Sequence, residues 1–328
     1  MSVEQLPLFP GDPPQAVLQS TGLIASSSLG AAIECFRDHM IQQDYAENTV
    51  KSFLGDMRIL ERSLKDNPAI ERISTKNLQD YLHWLQHERG KPCSSKSYAR
   101  RLTTLKVFFS WLAGQGILPA DPAASLTHKP VTTRTPRILY DNQVEQVLAV
   151  TRQTMMAQAP GEMPDPRLDG RPRGRPDPRP HLLVTLLLHT GIKKQECMAI
   201  KLSHIDTSNP AGPVVHIRYD KLRLQYKERR LRLPPGWTQT LAEYKKVYEP
   251  QGFLFPCTAR NLEYVLTGVA KQADLPDGLS FEMLRWTCAV RDYRARVDSE
   301  RLRRKLGLST MSWRETEPKI IRLAEPPL

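Results

Sequence analysis

At 328 residues the chain is long enough for two domains with separate cores. Its 40% apolar and 25% charged residues are ordinary for a globular protein. No apolar run approaches membrane-spanning length, and the N-terminus lacks the basic-then-apolar order of a signal peptide. The net charge of +12 points to a polyanionic partner, without choosing between nucleic acid and a membrane surface. That charge is uneven: residues 1–135 hold 15 Lys/Arg against 13 Asp/Glu, residues 136–328 hold 32 against 22. The second half is therefore expected to make the stronger phosphate contacts. Cys35, Cys93, Cys197, Cys257 and Cys288 are odd in number and far apart, so neither a disulfide framework nor a zinc site is expected. A reduced, cytosolic setting follows from that reading.

Residues 1–26, rich in Pro and then Ser, are expected to be a disordered arm. Helical spacing begins at Gly30 and runs to Gln43. Asn48 and Thr49 offer a cap for a second helix through Leu64, with Val50, Phe53, Leu54, Met57 and Leu60 on one face. Ser74 caps a third segment, and Ser94 and Ser95 open a fourth that runs to Leu112. Short loops between the four predict a compact helical bundle over residues 27–113. Pro119, Pro122, Pro130 and Pro136 punctuate a linker over 114–136.

A second domain is expected over 137–328. A helix at Asn142–Val150 precedes an insertion over 157–180 loaded with Pro, Arg, Gly and Asp. Helices resume at His181–His189 and Lys193–Ile200. Val214–Arg218 and the basic Lys227–Leu233 read as strands of a small sheet. Helical patterns return at Thr238–Tyr248, Asn261–Ala273, Phe281–Val297 and Ser299–Leu306, before a short apolar tail at Ile320, Ile321 and Leu323. The fold class is mainly α with a small β-sheet.

Several runs resemble the tyrosine recombinase (phage integrase) family, in order, over about residues 28–317. In the first half they are Asn48-Thr49-Val50-Lys51-Ser52-Phe53, Arg100-Arg101-Leu102, Phe108-Phe109-Ser110-Trp111-Leu112 and Asp121-Pro122-Ala123. In the second half Thr190-Gly191-Ile192-Lys193-Lys194-Gln195-Glu196 is similar to the family's Thr-Gly-Leu-Arg-x-x-Glu box. Lys227-Glu228-Arg229-Arg230 resembles the end of its DNA-reaching hairpin. Leu284-Arg285 resembles the core of a His-x-Leu-Arg-His box, and Lys305-Leu306-Gly307 the start of a Leu-Gly-His box. The resemblance implies a SAM-like helical core-binding domain followed by a catalytic-type domain, with double-stranded DNA as partner, no cofactor and no metal.

In that family a tyrosine attacks a DNA phosphate, arginine forks neutralise the transition state, and a Lys or His supplies a proton. Position by position, the first arginine falls on Lys193, a point charge without the fork. The box histidines fall on Glu282, Trp286 and Leu308, and the nucleophile falls near Glu317. Lys221 and Lys227 are both candidates for the hairpin lysine, while strict spacing puts Leu224 there. Only Arg285 matches the catalytic set clearly, with Lys193 and Lys227 as weak candidates. No tyrosine follows Tyr293, which lies eight residues after Arg285 and is expected to be a surface or packing residue.

Lys227, Arg229, Arg230, Arg291, Arg100 and Arg101 are the expected DNA contacts within the resemblance, with further basic residues at Arg232, Arg301, Arg303, Arg304 and Lys305. Pro172-Arg173-Gly174-Arg175-Pro176 in the insertion matches an AT-hook core, in which Arg173 and Arg175 would enter a narrow minor groove. Gln5-Leu6-Pro7-Leu8-Phe9 resembles a peptide that docks on the replicative sliding clamp, with Gln5, Leu6, Leu8 and Phe9 as the contacts. The expected function is a catalytically degenerate DNA-binding member of the family, acting as an accessory or directing subunit. The candidate partners beyond DNA are an active recombinase, the clamp, and further copies in a homo- or hetero-oligomer. An active site rearranged around Tyr293, or a clamp-recruited regulator, are the alternatives. By resemblance, the tail at Ile320–Leu323 either exchanges between subunits or folds back on its own domain.

Overall fold

The computed structural model describes residues 22–90, 92–127, 135–156 and 176–325. The chain divides into two compact units, 1–133 and 134–328.

In the first unit α1 (Leu29–Gln42), α2 (Glu47–Leu64), α3 (Thr75–His87) and α4 (Ser95–Gly114) surround one apolar core. The caps explain three of the starts. Ser28, Ser74 and Ser94 each accept a hydrogen bond from a first-turn backbone N–H, and the Ser74 N–H donates to Asn77 Oδ1 to complete a capping box. The start of α2 differs from expectation. Ala46 is its cap residue without a side-chain bond, and Asn48 and Thr49 lie inside the first turn. Phe36 packs edge-on to Phe108 (ring centroids 5.2 Å) and beside Trp111 (5.3 Å), which pins α1 to α4. Burying side chains of this size contributes about 1.5–3 kcal/mol each. Residues 115–127 are more than a connector: Leu118, Ala123 and Leu126 are buried in this core, and Thr75 Oγ1 donates to the Pro122 carbonyl (2.8 Å).

The second unit is built around α6 (Arg179–Thr190), a leucine-rich helix whose residues are almost all buried. α5 (Asp141–Met156), α8 (Trp237–Tyr248), α9 (Ala259–Gln272) and α10 (Phe281–Arg294) pack on it or on one another. α7 (Lys194–Ala199) and α11 (Ser299–Lys305) are short. The sheet runs β1 (Ile205–Asp206), β2 (Val214–Ile217), β3 (Arg229–Arg232), all antiparallel, with Val215 opposite Leu231 and His216 opposite Arg230. The alternation buries Leu231 and turns Arg230 and Arg232 outward. β1 escapes sequence reading because two residues carry no period.

Two segments depart from expectation. The apolar tail is the end of a full helix, α12 (Thr310–Ala324), which crosses Pro318 and buries Ile320 against Val290, Leu302 and Leu306. It folds back on its own unit. The close of the insertion is also ordered into the core: Asp177, Arg179 and His181 are buried, and Tyr248 donates to Asp177 (2.8 Å). Gln5, Leu6, Leu8, Phe9, Arg173 and Arg175 lie outside the described residues.

Among the described residues no helix is long and apolar enough to cross a membrane, no disulfide forms, and no His/Cys/Asp/Glu cluster could hold a metal ion.

Candidate functional site

Two inward-pointing arginines organise the second unit. Arg229, at the start of β3, places its guanidinium on the Glu196 carboxylate through Nη1 (3.1 Å) and Nη2 (2.8 Å). Its Nε donates to the Lys305 carbonyl (2.7 Å), and Nη1 also donates to the Lys227 carbonyl (3.0 Å). The side chains of Arg229 and Glu196 are only 8% and 3% exposed. Gly307 follows from this packing, because a Cβ there would sit 2.6 Å from Arg229 Nη1. Glu196 also accepts from the Tyr219 hydroxyl and from the Lys193 N–H (2.8 Å). Burial pushes its pKa up, but Arg229, Tyr219 and the Lys193 N–H outweigh burial and hold it below the usual carboxylate range. Burial and the Glu196 partner push the Tyr219 hydroxyl up to about 12.

Arg285 is the second brace. From α10 it donates to the carbonyl of Gly191, which caps α6, and to that of Leu306 (2.7 Å), which caps α11. Gly191 adopts φ +59°, and a Cβ there would meet Leu306 Cδ2 at 2.9 Å. Arg285 also lines a cleft with Lys193, Lys194, Glu263, Ser280 and Glu282. Burial, then the neighbouring Arg285, Lys227 and Arg229, depress the pKa of the Lys193 ammonium, while Glu196 opposes them. Lys193 and Arg285 thus line one cleft, and Lys227 is near enough to Lys193 to act on its charge.

Other charged groups beside Arg285 are engaged with partners. Lys194 is paired with Glu263 (2.7 Å), and Glu282 accepts from the Trp286 indole N–H (2.7 Å). On α12 the Glu317 carboxylate accepts from Ser299 Oγ (2.5 Å). Tyr293 lies on the last turn of α10 and is 36% exposed. Eight helical residues separate it from Arg285, about 12 Å along the axis. The Tyr219 hydroxyl is committed to Glu196 and is poorly ionised near neutral pH.

A second, open groove lies between the outer face of the sheet and the α10–α11 region. His216, Arg230 and Arg232 reach it from β2 and β3, and Arg301, Arg304 and Lys305 from the other side. Lys305 is paired with Asp292 (2.6 Å) and Arg304 with Glu300 (2.7 Å). Arg230, Arg232 and Arg301 are exposed. This concentration of positive charge suits a polyanion. Arg291 is also exposed, on the last turn of α10, where with Lys305 it adds to burial in lowering the His189 pKa.

Three residues expected to contact DNA are bonded to carboxylates of their own unit, two of them with buried side chains. Arg229 is spent on Glu196, as above. In the first unit Asp56 is buried on α2, and Arg100 (2.9 Å) and Arg101 (3.3 Å) both donate to it, with Thr104 on its other oxygen (3.2 Å). Arg101 also donates to Cys93 Sγ (2.7 Å), and its side chain is 9% exposed; that of Arg100 is 41% exposed. A buried carboxylate between apolar α2 positions was the available signal, since it needs cationic partners.

A family model described as the phage integrase N-terminal SAM-like domain matches residues 33–116, within the helical unit. The tyrosine recombinase XerC of Listeria monocytogenes serotype 4a (strain HCC23) is 23% identical over 281 residues, covering 83% of this chain and 86% of the relative. That of Lacticaseibacillus casei (strain BL23) is 24% identical over 291 residues, covering 85% and 91%. Together these likenesses support membership of the tyrosine recombinase family. The fold of this recombinase relative is similar to that of lambda integrase, solved as a dimer bound to a COC′ core site: TM-score 0.65, 15% identity, 92% of this chain and 80% of that one. It is also similar to XerH recombinase bound to palindromic difH substrate, at TM-score 0.63 and 16% identity, over 91% of this chain and 82% of that one.

Proposed function

We propose that this tyrosine recombinase relative binds double-stranded DNA and acts in DNA recombination or integration as a non-catalytic accessory or directing subunit. One observation carries the reading. The family's architecture is retained with a basic groove, while Lys193 and Glu282 line the cleft around Arg285, Trp286 is bonded to Glu282, and the α12 position holds Glu317 bonded to Ser299. Carboxylates at two of those positions repel a phosphate, and Glu317, at the place of the family's tyrosine, carries no nucleophilic hydroxyl. Arg230, Arg232, Arg301, Arg291 and Lys227 supply the phosphate contacts, which fix position on the duplex without reading sequence.

Its expected partners are DNA, an active recombinase that supplies the chemistry, and further copies on the same site. The test uses the purified protein and sheared genomic DNA from its source, with capture split between native and hot-detergent washes. Enriched DNA in the native half alone is the expected result. Enriched DNA surviving detergent means a covalent protein–DNA link and overturns the non-catalytic role in favour of a rearranged active site.

A further inference from the structure

The segment joining β2 to β3 combines a rigid base with an apolar tip. At the base, the Glu228 carboxylate accepts from the Tyr219 N–H (2.8 Å), and Arg229 is locked by Glu196 and two backbone carbonyls. The tip is a short 3₁₀ helix, Leu222–Lys227, closed by the Leu224 N–H on the Lys221 carbonyl and the Glu228 N–H on the Gln225 carbonyl (both 2.8 Å). On it Leu222 is 83% exposed and Tyr226 66% exposed. Two large apolar side chains held in water within five residues mark a binding surface, where one alone would not.

The surroundings choose the partner. Lys221, Arg223 and Lys227 interleave with the apolar residues, and Lys227 Nζ lies 5.2 Å from the Tyr226 ring centroid. The core of a protein–protein interface is depleted of lysine. A duplex groove is the converse case: apolar base stacks bounded by phosphates on both sides. A side chain that parts two base pairs needs a stiff support, since unstacking costs a few kcal/mol, and the Glu196–Arg229 brace provides one.

We propose that Leu222 and Tyr226 form a wedge that enters a base step of duplex DNA, while Lys221, Arg223 and Lys227 hold the flanking phosphates. This rests on the DNA-binding reading above. A wedge bends the duplex at its point of entry and prefers a site whose stack is already broken.

The experiment compares an intact duplex of about 30 base pairs with the same duplex carrying one central abasic site, using the full chain at low salt. The expected result is about tenfold tighter binding to the abasic duplex, since its unstacking cost is already met. Replacing Leu222→Ser together with Tyr226→Ser removes that preference and changes binding to the intact duplex less than about threefold, because phosphate contacts dominate there. Lys221→Gln with Lys227→Gln weakens both duplexes alike. Equal wild-type binding to the two duplexes overturns the wedge and leaves the DNA reading standing, as does a preference that survives both serines. Failure to bind either duplex overturns both readings, and binding to phosphatidylserine vesicles instead makes the tip a membrane contact.

Discussion

Replacing Glu196→Gln preserves side-chain size and removes only charge, which isolates what the carboxylate does for Arg229. The guanidinium keeps its bonds to the Lys305 and Lys227 carbonyls, and a glutamine oxygen can still accept one N–H. What is lost is the counter-charge for an arginine whose side chain is 8% exposed. Removing one partner of a buried pair costs about 3–5 kcal/mol; with the surviving hydrogen bonds, about 3 kcal/mol is expected here. At a urea m-value of about 2–3 kcal/mol/M the midpoint falls by about 1 M. The readout is hydrogen exchange in urea for peptides over residues 205–232 and 299–307, so that unfolding of the other unit does not enter. Adding Arg229→Met removes the stranded charge and recovers part of the loss, a coupling of about 2 kcal/mol. Acidity supplies a sign test. The folded Glu196 pKa lies below its ordinary value of 4.5, so its contribution is full above about pH 4.5 and fades as pH falls through the lower folded value. The gap between wild type and Glu196→Gln therefore closes on acidification. A cost under about 1 kcal/mol at pH 7, or a gap that widens in acid, refutes the reasoning.

Replacing Arg230, Arg232 and Arg301 with Ala together is expected to reduce the dependence of log affinity on log salt by roughly 2–3, in a fluorescence anisotropy titration on duplex DNA, without loss of thermal stability. Asp56→Ala strands Arg101 beside a buried cavity and is expected to destabilise the helical unit by about 3–4 kcal/mol in chemical denaturation; Arg100→Gln costs far less, because that side chain is 41% exposed. Leu8→Ala with Phe9→Ala abolishes binding to the purified sliding clamp in a surface plasmon resonance assay if residues 5–9 dock there; unchanged binding removes the clamp as a partner.

Much of this molecule is set locally and is visible along the chain. Ser74 with Asn77, and Ser94 before α4, start helices through bonds to their own first turns. The leucine-rich run of α6, interrupted only by Thr185 between Leu182 and Leu188, states its own burial. The family boxes lie in order along the chain.

What the linear chain leaves open is the direction in which each charge points. Arg229 and Arg230 are neighbours with the same chemistry, yet one is braced inside and the other faces the groove. That division follows from strand register and from a carboxylate 33 residues away in α7. Arg101 turns inward for the same kind of reason, toward Asp56 on another helix, which the more exposed Arg100 also reaches. The apolar tail becomes a helix docked on its own unit because Ile320 finds Val290, Leu302 and Leu306 there. Helix starts depend on a few adjacent residues, so sequence determines them. The pairing of a buried charge depends on which distant partner the fold delivers, and only the tertiary structure decides it.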